Sequence, residues 1–138
     1  MKIISNIDIN SESFAINSQS MLAAINAFRE IEKNVMQKGL IAKGKFHSQG
    51  KLLPRERLNL LLDPGSSFIE LCSLAGDKMH DDKDGFAAGG GMITGIGFVS
   101  GIRCLIQVNN SASKGGTISP AGLEKTLRIQ QIVQENKL

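Results

Sequence analysis

The sequence contains no tryptophan and no tyrosine, and its aromatic share is 4%. Stacking platforms for nucleobases are therefore not expected, and a net charge of +3 makes no independent case for nucleic acid. Cysteine is scarce: Cys72 and Cys104 lack C-x-x-C spacing and, with only two scattered histidines, cannot build a metal site. The expectation is a buried pair of reduced thiols. No apolar run approaches the ~20 residues of a membrane span. The opening "MKIISNIDINSES" has one lysine and no apolar core, so it does not read as a secretory signal and predicts a cytoplasmic protein. Nor is there a nucleophile–base pair: no serine or cysteine sits in an elbow, and neither His47 nor His80 has an evident orienting carboxylate. No catalytic side chain and no metal ligand can be assigned.

What is present is the make-up of a globular chain, with 138 residues, 41% hydrophobic and 21% charged. Residues 1–18 are polar and Asn/Ser-rich, and are expected to be loosely held. From Gln19 to Lys38, Met21, Ile25, Phe28, Ile31 and Val35 recur every three or four residues, which predicts an amphipathic helix stopped by Gly39. A basic, glycine-punctuated connector, 38–51, precedes Pro54, which opens a short helix, "PRERLNLLL", closed by the turn "DPG". "FIELCSL", 68–74, reads as a strand.

The strongest local signal is a hairpin: "MITGIGFV" (92–99) and "IRCLIQV" (102–108) flank the turn dipeptide Ser100-Gly101. Ile102, Cys104, Ile106 and Val108 share one face, while Gly95 and Gly97 leave a strip without side chains, which invites close backbone approach. After a polar loop, Ser119 as N-cap and Pro120 as first residue predict a helix to about Glu135, with Leu123, Leu127 and Val133 as its apolar side. A third strand would be the next element of such an order, so the chain reads as incomplete.

Several patterns imitate sites. "GLIAKGKF" (39–46) fits G-x-x-x-x-G-K-S/T except for Phe46, but it follows a helix where a phosphate loop follows a strand. "AAGGGMITGIG" has no G-x-G-x-x-G window and runs into a strand. "HDDKDG" (80–85) puts His80 where a calcium loop needs its first aspartate. Lys43, Lys45, Lys51, Arg55 and Arg57 form a basic cluster, read either as a solvated connector or as a site for an anionic ligand or partner.

Four longer stretches, "GKLLPRERLNLLLDPGSSFIELCSLAG" (50–76), "GGGMITGIGFVSG" (89–101), "KGGT" (114–117) and "LRIQQIVQENKL" (127–138), lie in the order of one family. Together they resemble the carboxyltransferase (beta) subunit of biotin-dependent acyl-CoA carboxylases, nearest to its methylcrotonoyl-CoA and geranyl-CoA branch. The resemblance implies an α/β fold, the N-terminal part of a truncated crotonase-like (ClpP/crotonase) β-β-α spiral. On this reading 1–45 form a polar segment, helix and connector, and 46–138 begin the carboxyltransferase N-terminal domain.

The implied reaction moves a carboxyl group from carboxybiotin to a carbon acid of an acyl-CoA such as 3-methylcrotonoyl-CoA. The enolate formed on the way is stabilised by backbone N–H donors. Biotin is expected on a partner subunit, with a biotin carboxylase/biotin carrier subunit as partner and a homo-oligomer in the full-length family. Neither nucleic acid nor membrane is an expected partner. The loop Lys114, Gly115, Gly116 and Thr117 is the implied acyl-CoA loop, with Lys114 pairing with a CoA phosphate; a plain turn into the helix is the competing reading. The family's second glycine-rich loop and its biotin-side donors belong beyond Leu138, so the 138 residues are expected to be inactive alone, with exposed apolar surface. Ser67 and "ISPAGLEK" (118–125) depart from the methylcrotonoyl pattern and leave the acyl group open. The alternative is a non-catalytic acyl-CoA or partner-binding remnant.

Overall fold

The structure is a computed structural model describing residues 5–79, 82–83 and 88–138. It has two compact units, Met1–Lys33 and Asn34–Leu138. The elements are α1 (Glu12–Leu40), α2 (Lys43–Ser48), α3 (Pro54–Leu61), β1 (Ile69–Glu70), β2 (Met92–Val99), β3 (Ile102–Asn109), a 3-10 turn at Lys114–Gly116, and α4 (Pro120–Asn136).

Helix α1 starts earlier than its apolar periodicity indicated, within the stretch expected to be loose. The signal is polar: Ser11 Oγ accepts the Phe14 amide at 3.2 Å, and Asp8 folds the preceding residues by accepting the Asn10 amide at 2.9 Å. Within the first unit Phe14, Met21 and Phe28, seven residues apart, all stay exposed.

In the second unit, β1, β2 and β3 form an antiparallel sheet in that order, with Glu70 opposite Gly95, Met92 opposite Asn109 and Val99 opposite Ile102. The hairpin lies where the sequence indicated. Ser100 and Gly101 both have left-handed φ, +52° and +77°, as a two-residue turn of this twist requires. Asp63, from the "DPG" turn, locks it: its carboxylate accepts the Ser100 amide at 2.6 Å and the Gly101 amide at 2.7 Å. The core is Leu58 from α3 against Ile93, Ile106 and Val108, with Leu62, Phe68, Val99 and Cys104 packed around it. Each of the fully buried side chains Leu58, Ile93, Ile106 and Val108 contributes about 1.5–3 kcal/mol on burial. The glycine strip of β2 is filled from outside: a Cβ at Gly97 would lie 2.5 Å from Leu62 Cδ2, and one at Gly95 would strike the Phe68 ring and the Ile69 carbonyl.

Four expectations need correction. The strand expected over 68–74 is confined to Ile69–Glu70, with one further bond from the Leu71 amide to Thr94 O at 2.8 Å, because Cys72 takes φ +52° and turns the chain out of the ladder. The connector 38–51 contains the helix α2. The cysteines are not a buried pair: Cys72 is exposed and Cys104 half-buried, both as free thiols. On α4, Leu123 and Leu127 are 57% and 54% exposed, and the buried face is Gly122, Lys125 and Ile129. A glycine and a lysine occupy the face that hydrophobic periodicity assigns to large apolar residues.

The phosphate-loop lookalike is helical on both sides of a turn, with Gly39 in α1 and Gly44 and Lys45 in α2. His80, Asp81, Asp84 and Gly85 of "HDDKDG" lie outside the described residues. Among the described residues no three His, Cys, Asp or Glu side chains could hold a metal ion together, and no helix is long and apolar enough to cross a membrane.

Candidate functional site

The hairpin delivers its chain into a polar loop that the fold then turns into α4. The Asn110 amide donates to the Gly91 carbonyl at 2.9 Å, the Ser113 amide to Asn110 O at 3.0 Å, and the Gly116 amide to Ser113 O at 2.8 Å. Gly115 and Gly116 have φ +68° and +85°, so both glycines are required by the backbone path of Lys114–Gly116. They differ in surroundings. A Cβ on Gly116 would lie 2.9 Å from Asn109 Oδ1, whereas one on Gly115 meets nothing within 4 Å. Gly115 is therefore the open backbone edge of the loop. Gly116 is packed, and its N–H is committed inside the turn. The Lys114 side chain lies outside the described residues; its backbone opens the turn.

Beyond Thr117, Ser119 caps α4 by accepting the Gly122 amide at 3.1 Å, and Pro120 follows as the first helical residue. This sets the positive end of a helix dipole directly after the glycine loop, where developing negative charge is favoured. The helix start is held from below by the glycine run preceding β2. A Cβ on Gly90 would lie 2.6 Å from Gly122 Cα, one on Gly91 would lie 2.7 Å from Thr117 O, and one on Gly122 would strike the Gly90 carbonyl. Backbone thus rests on backbone across the base of the loop.

Lys125 completes this contact. Its Nζ donates to Gly89 O at 3.1 Å and Met92 O at 2.8 Å. Burial pushes its ammonium below the ordinary lysine value of 10.5; Glu70 and Cys72 oppose that, and Arg55 adds to it. Glu70 is held by a bidentate pair with Arg55, at 2.8 and 3.0 Å. The sequence reading missed Lys125, although it falls between Gly122 and Ile129 at helical spacing.

The basic cluster does not converge on one site. Arg55 is taken by Glu70, Lys43 reaches Glu56 at 4.0 Å, and Lys51 donates to Gln49. His47 has the orienting carboxylate that the sequence did not reveal: Glu56, nine residues on, lies 2.9 and 3.1 Å from its Nε2. Glu56 also accepts the Leu53 amide at 2.8 Å at the start of α3. The His47 hydrogen bond first, then that amide, hold the Glu56 carboxyl below its ordinary value of 4.5, and Lys43 adds to this. A lowered folded value means that the stabilisation is complete above about pH 4.5 and is lost as pH falls through the folded value. Thermal midpoints measured downward from pH 5 should therefore fall less steeply in Glu56→Gln than in the parent. Parallel curves would show that the pair contributes nothing.

The comparisons with known proteins take in this loop and most of the rest of the chain. The carboxyl transferase domain family matches residues 45–138. The methylcrotonoyl-CoA carboxylase beta chain of Dictyostelium discoideum is 43% identical over 133 residues, covering 96% of this chain and 22% of its own length. The Mycobacterium tuberculosis biotin-dependent 3-methylcrotonyl-coenzyme A carboxylase beta1 subunit is 41% identical over 126 residues, covering 91% of this chain and 23% of its own. Among solved structures, the beta subunit of Pseudomonas aeruginosa geranyl-CoA carboxylase superposes with TM-score 0.86 at 58% identity, over 99% of this chain and 25% of that one. Transcarboxylase 12S, a hexamer solved with methylmalonyl-coenzyme A bound, gives 0.67 at 26% identity, over 82% and 22%. The chain thus spans about a quarter of the length of these relatives, and the hairpin-then-helix order is part of their crotonase-like architecture. Sequence motifs, fold and comparisons agree: the chain belongs to the carboxyl transferase domain family, and it is similar to the beta subunits of acyl-CoA carboxylases.

Proposed function

We propose that residues 46–138 open the carboxyltransferase N-terminal domain of a biotin-dependent acyl-CoA carboxylase. In this reading the loop Lys114–Thr117 is the acyl-CoA loop, and the substrate is 3-methylcrotonoyl-CoA or a close analogue. The observation that carries the reading is the open backbone edge at Gly115, immediately ahead of the capped start of α4. An acyl-CoA thioester fits such a place, because its carbonyl asks for backbone donors and close approach, not for a charged side chain.

Loss of the proton next to, or conjugated with, the thioester sends an electron pair toward the carbonyl oxygen. Oriented amides and the helix dipole stabilise that charge without any side chain changing its own. Carboxybiotin, carried by a partner biotin carboxylase/biotin carrier subunit, supplies the carboxyl group; no residue of this chain is assigned to biotin. The expected assembly is a homo-oligomer joined by that partner, and the expected compartment is the cytoplasm. Binding of the CoA ester without transfer is the second reading, since an open backbone edge at Gly115 serves a bound thioester whether or not transfer follows.

The test is a chimera in which this chain replaces the matching quarter of the geranyl-CoA carboxylase beta subunit. Together with its biotin-bearing partner, the chimera is expected to fix labelled bicarbonate into 3-methylcrotonoyl-CoA. A folded, assembled chimera that binds the CoA ester but transfers nothing would leave only the binding reading.

A further inference from the structure

Lysine is rarely buried without a task, yet Lys125 is only 3% exposed and takes no part in the backbone-donor reading. Its two acceptors, the Gly89 and Met92 carbonyls, are the two ends of a turn. Between them, Gly90 and Gly91 have φ +65° and +76°, and Gly89 itself has +91°. This turn touches the loop on both flanks. Gly91 O receives the Asn110 amide at 2.9 Å, where the loop leaves β3. The Gly91 backbone lies against the Thr117 carbonyl, where the loop enters α4, and Gly90 lies against Gly122.

We infer that Lys125 is a positioning residue for the acyl-CoA loop, tying off the Gly89–Met92 turn against which Asn110 and Thr117 are set. The inference rests on the loop reading above. Three glycines in left-handed conformation have no side chains to hold their shape, so the geometry of the turn depends on what grips its carbonyls. Lys125 grips both, and it does so from the helix whose N-terminus borders the loop. The cation is compensated by the two carbonyl dipoles and by Glu70, itself fixed by Arg55. An apolar side chain of equal length would fill the space but leave two carbonyls without that donor.

The test uses the chimera with Lys125→Met. Val108→Ala is the control, because it thins the core without touching the loop. Lys125→Met is expected to raise the KM for 3-methylcrotonoyl-CoA about tenfold and to lower kcat by up to about a hundredfold, as displacement of a positioned group by ~1 Å does. Val108→Ala should lower the thermal midpoint with kcat and KM within about twofold of the parent. If Lys125→Met behaves like Val108→Ala, the lysine is packing and the inference falls. If the methionine variant does not fold, Lys125→Gln takes its place: its shorter side chain lacks the reach to grip both carbonyls, so the same departures in KM and kcat are expected in smaller measure, and parent-like kinetics would overturn the inference. Failure here is separable from failure of the loop itself. If bulk at Gly115 weakens acyl-CoA binding while Lys125→Met does not, only the lysine assignment is lost. If neither matters, the loop reading goes too.

Discussion

Gly122→Ala is expected to destabilise the second unit by about 2–3 kcal/mol, although alanine stabilises most helix interiors by about 1 kcal/mol over glycine. The added methyl group would be driven into the Gly90 carbonyl, and the neighbouring Gly90 backbone is itself in contact with Gly122. Neither partner is a flexible side chain, so relief requires moving α4 away from the glycine turn. Gly39→Ala is the matched control. Gly39 lies in the last turns of α1 with nothing within 4 Å of the new atom, and a gain of up to about 1 kcal/mol is expected there. Thermal midpoints should move in opposite directions, downward by roughly 10 °C for Gly122→Ala. Shifts of the same sign would contradict the backbone-on-backbone contact.

Much of this arrangement could be read from the sequence, and the exceptions have identifiable causes. The hairpin was legible because alternation flanks a Ser-Gly turn, and α4 because Ser119-Pro120 is a start signal independent of hydrophobicity. The early start of α1 was hidden because its signal is the Ser11 cap, in a stretch whose composition suggested disorder. β1 is shorter than its composition indicates: "FIELCSL" has strand composition, but the left-handed Cys72 ends the ladder, and no local residue preference announces that. The burial of α4 was misassigned because its inner face is designed around backbone contact. Glycine and a carbonyl-bound lysine replace leucine there, leaving Leu123 and Leu127 outside with the exposed apolar surface that the sequence led one to expect. His47 and Glu56 meet only through the α2–α3 junction, which spacing alone does not disclose. The glycine loop itself was found through resemblance; the structure adds that its two glycines are not equivalent.

That inequality supports the second large effect. Gly116 is a poor site for a test, since bulk there would collide with Asn109 and disturb the fold. Gly115 is exposed and unobstructed, so a larger residue leaves the packing intact. Its φ of +68° still imposes a conformational cost of about 1–2 kcal/mol on any residue with a Cβ. Gly115→Ala measures that cost alone; Gly115→Phe adds a ring over the edge proposed to receive the thioester. In the chimera, Gly115→Phe is expected to lower kcat/KM for 3-methylcrotonoyl-CoA by about a hundredfold or more, the scale of a misplaced reacting group. Gly115→Ala should fall in between, with a thermal midpoint equal to that of Gly115→Phe.

The most direct test of the central claim is the equilibrium dissociation constant of 3-methylcrotonoyl-CoA for the chimera and for its Gly115→Phe variant, at matched thermal stability. If the acyl-CoA lies along Lys114–Thr117, the phenylalanine variant binds at least about tenfold more weakly than the Gly115→Ala variant, because the ring occupies the ligand's place. If the two variants bind the CoA ester equally well, the loop is a turn into α4 and the acyl-CoA lies elsewhere.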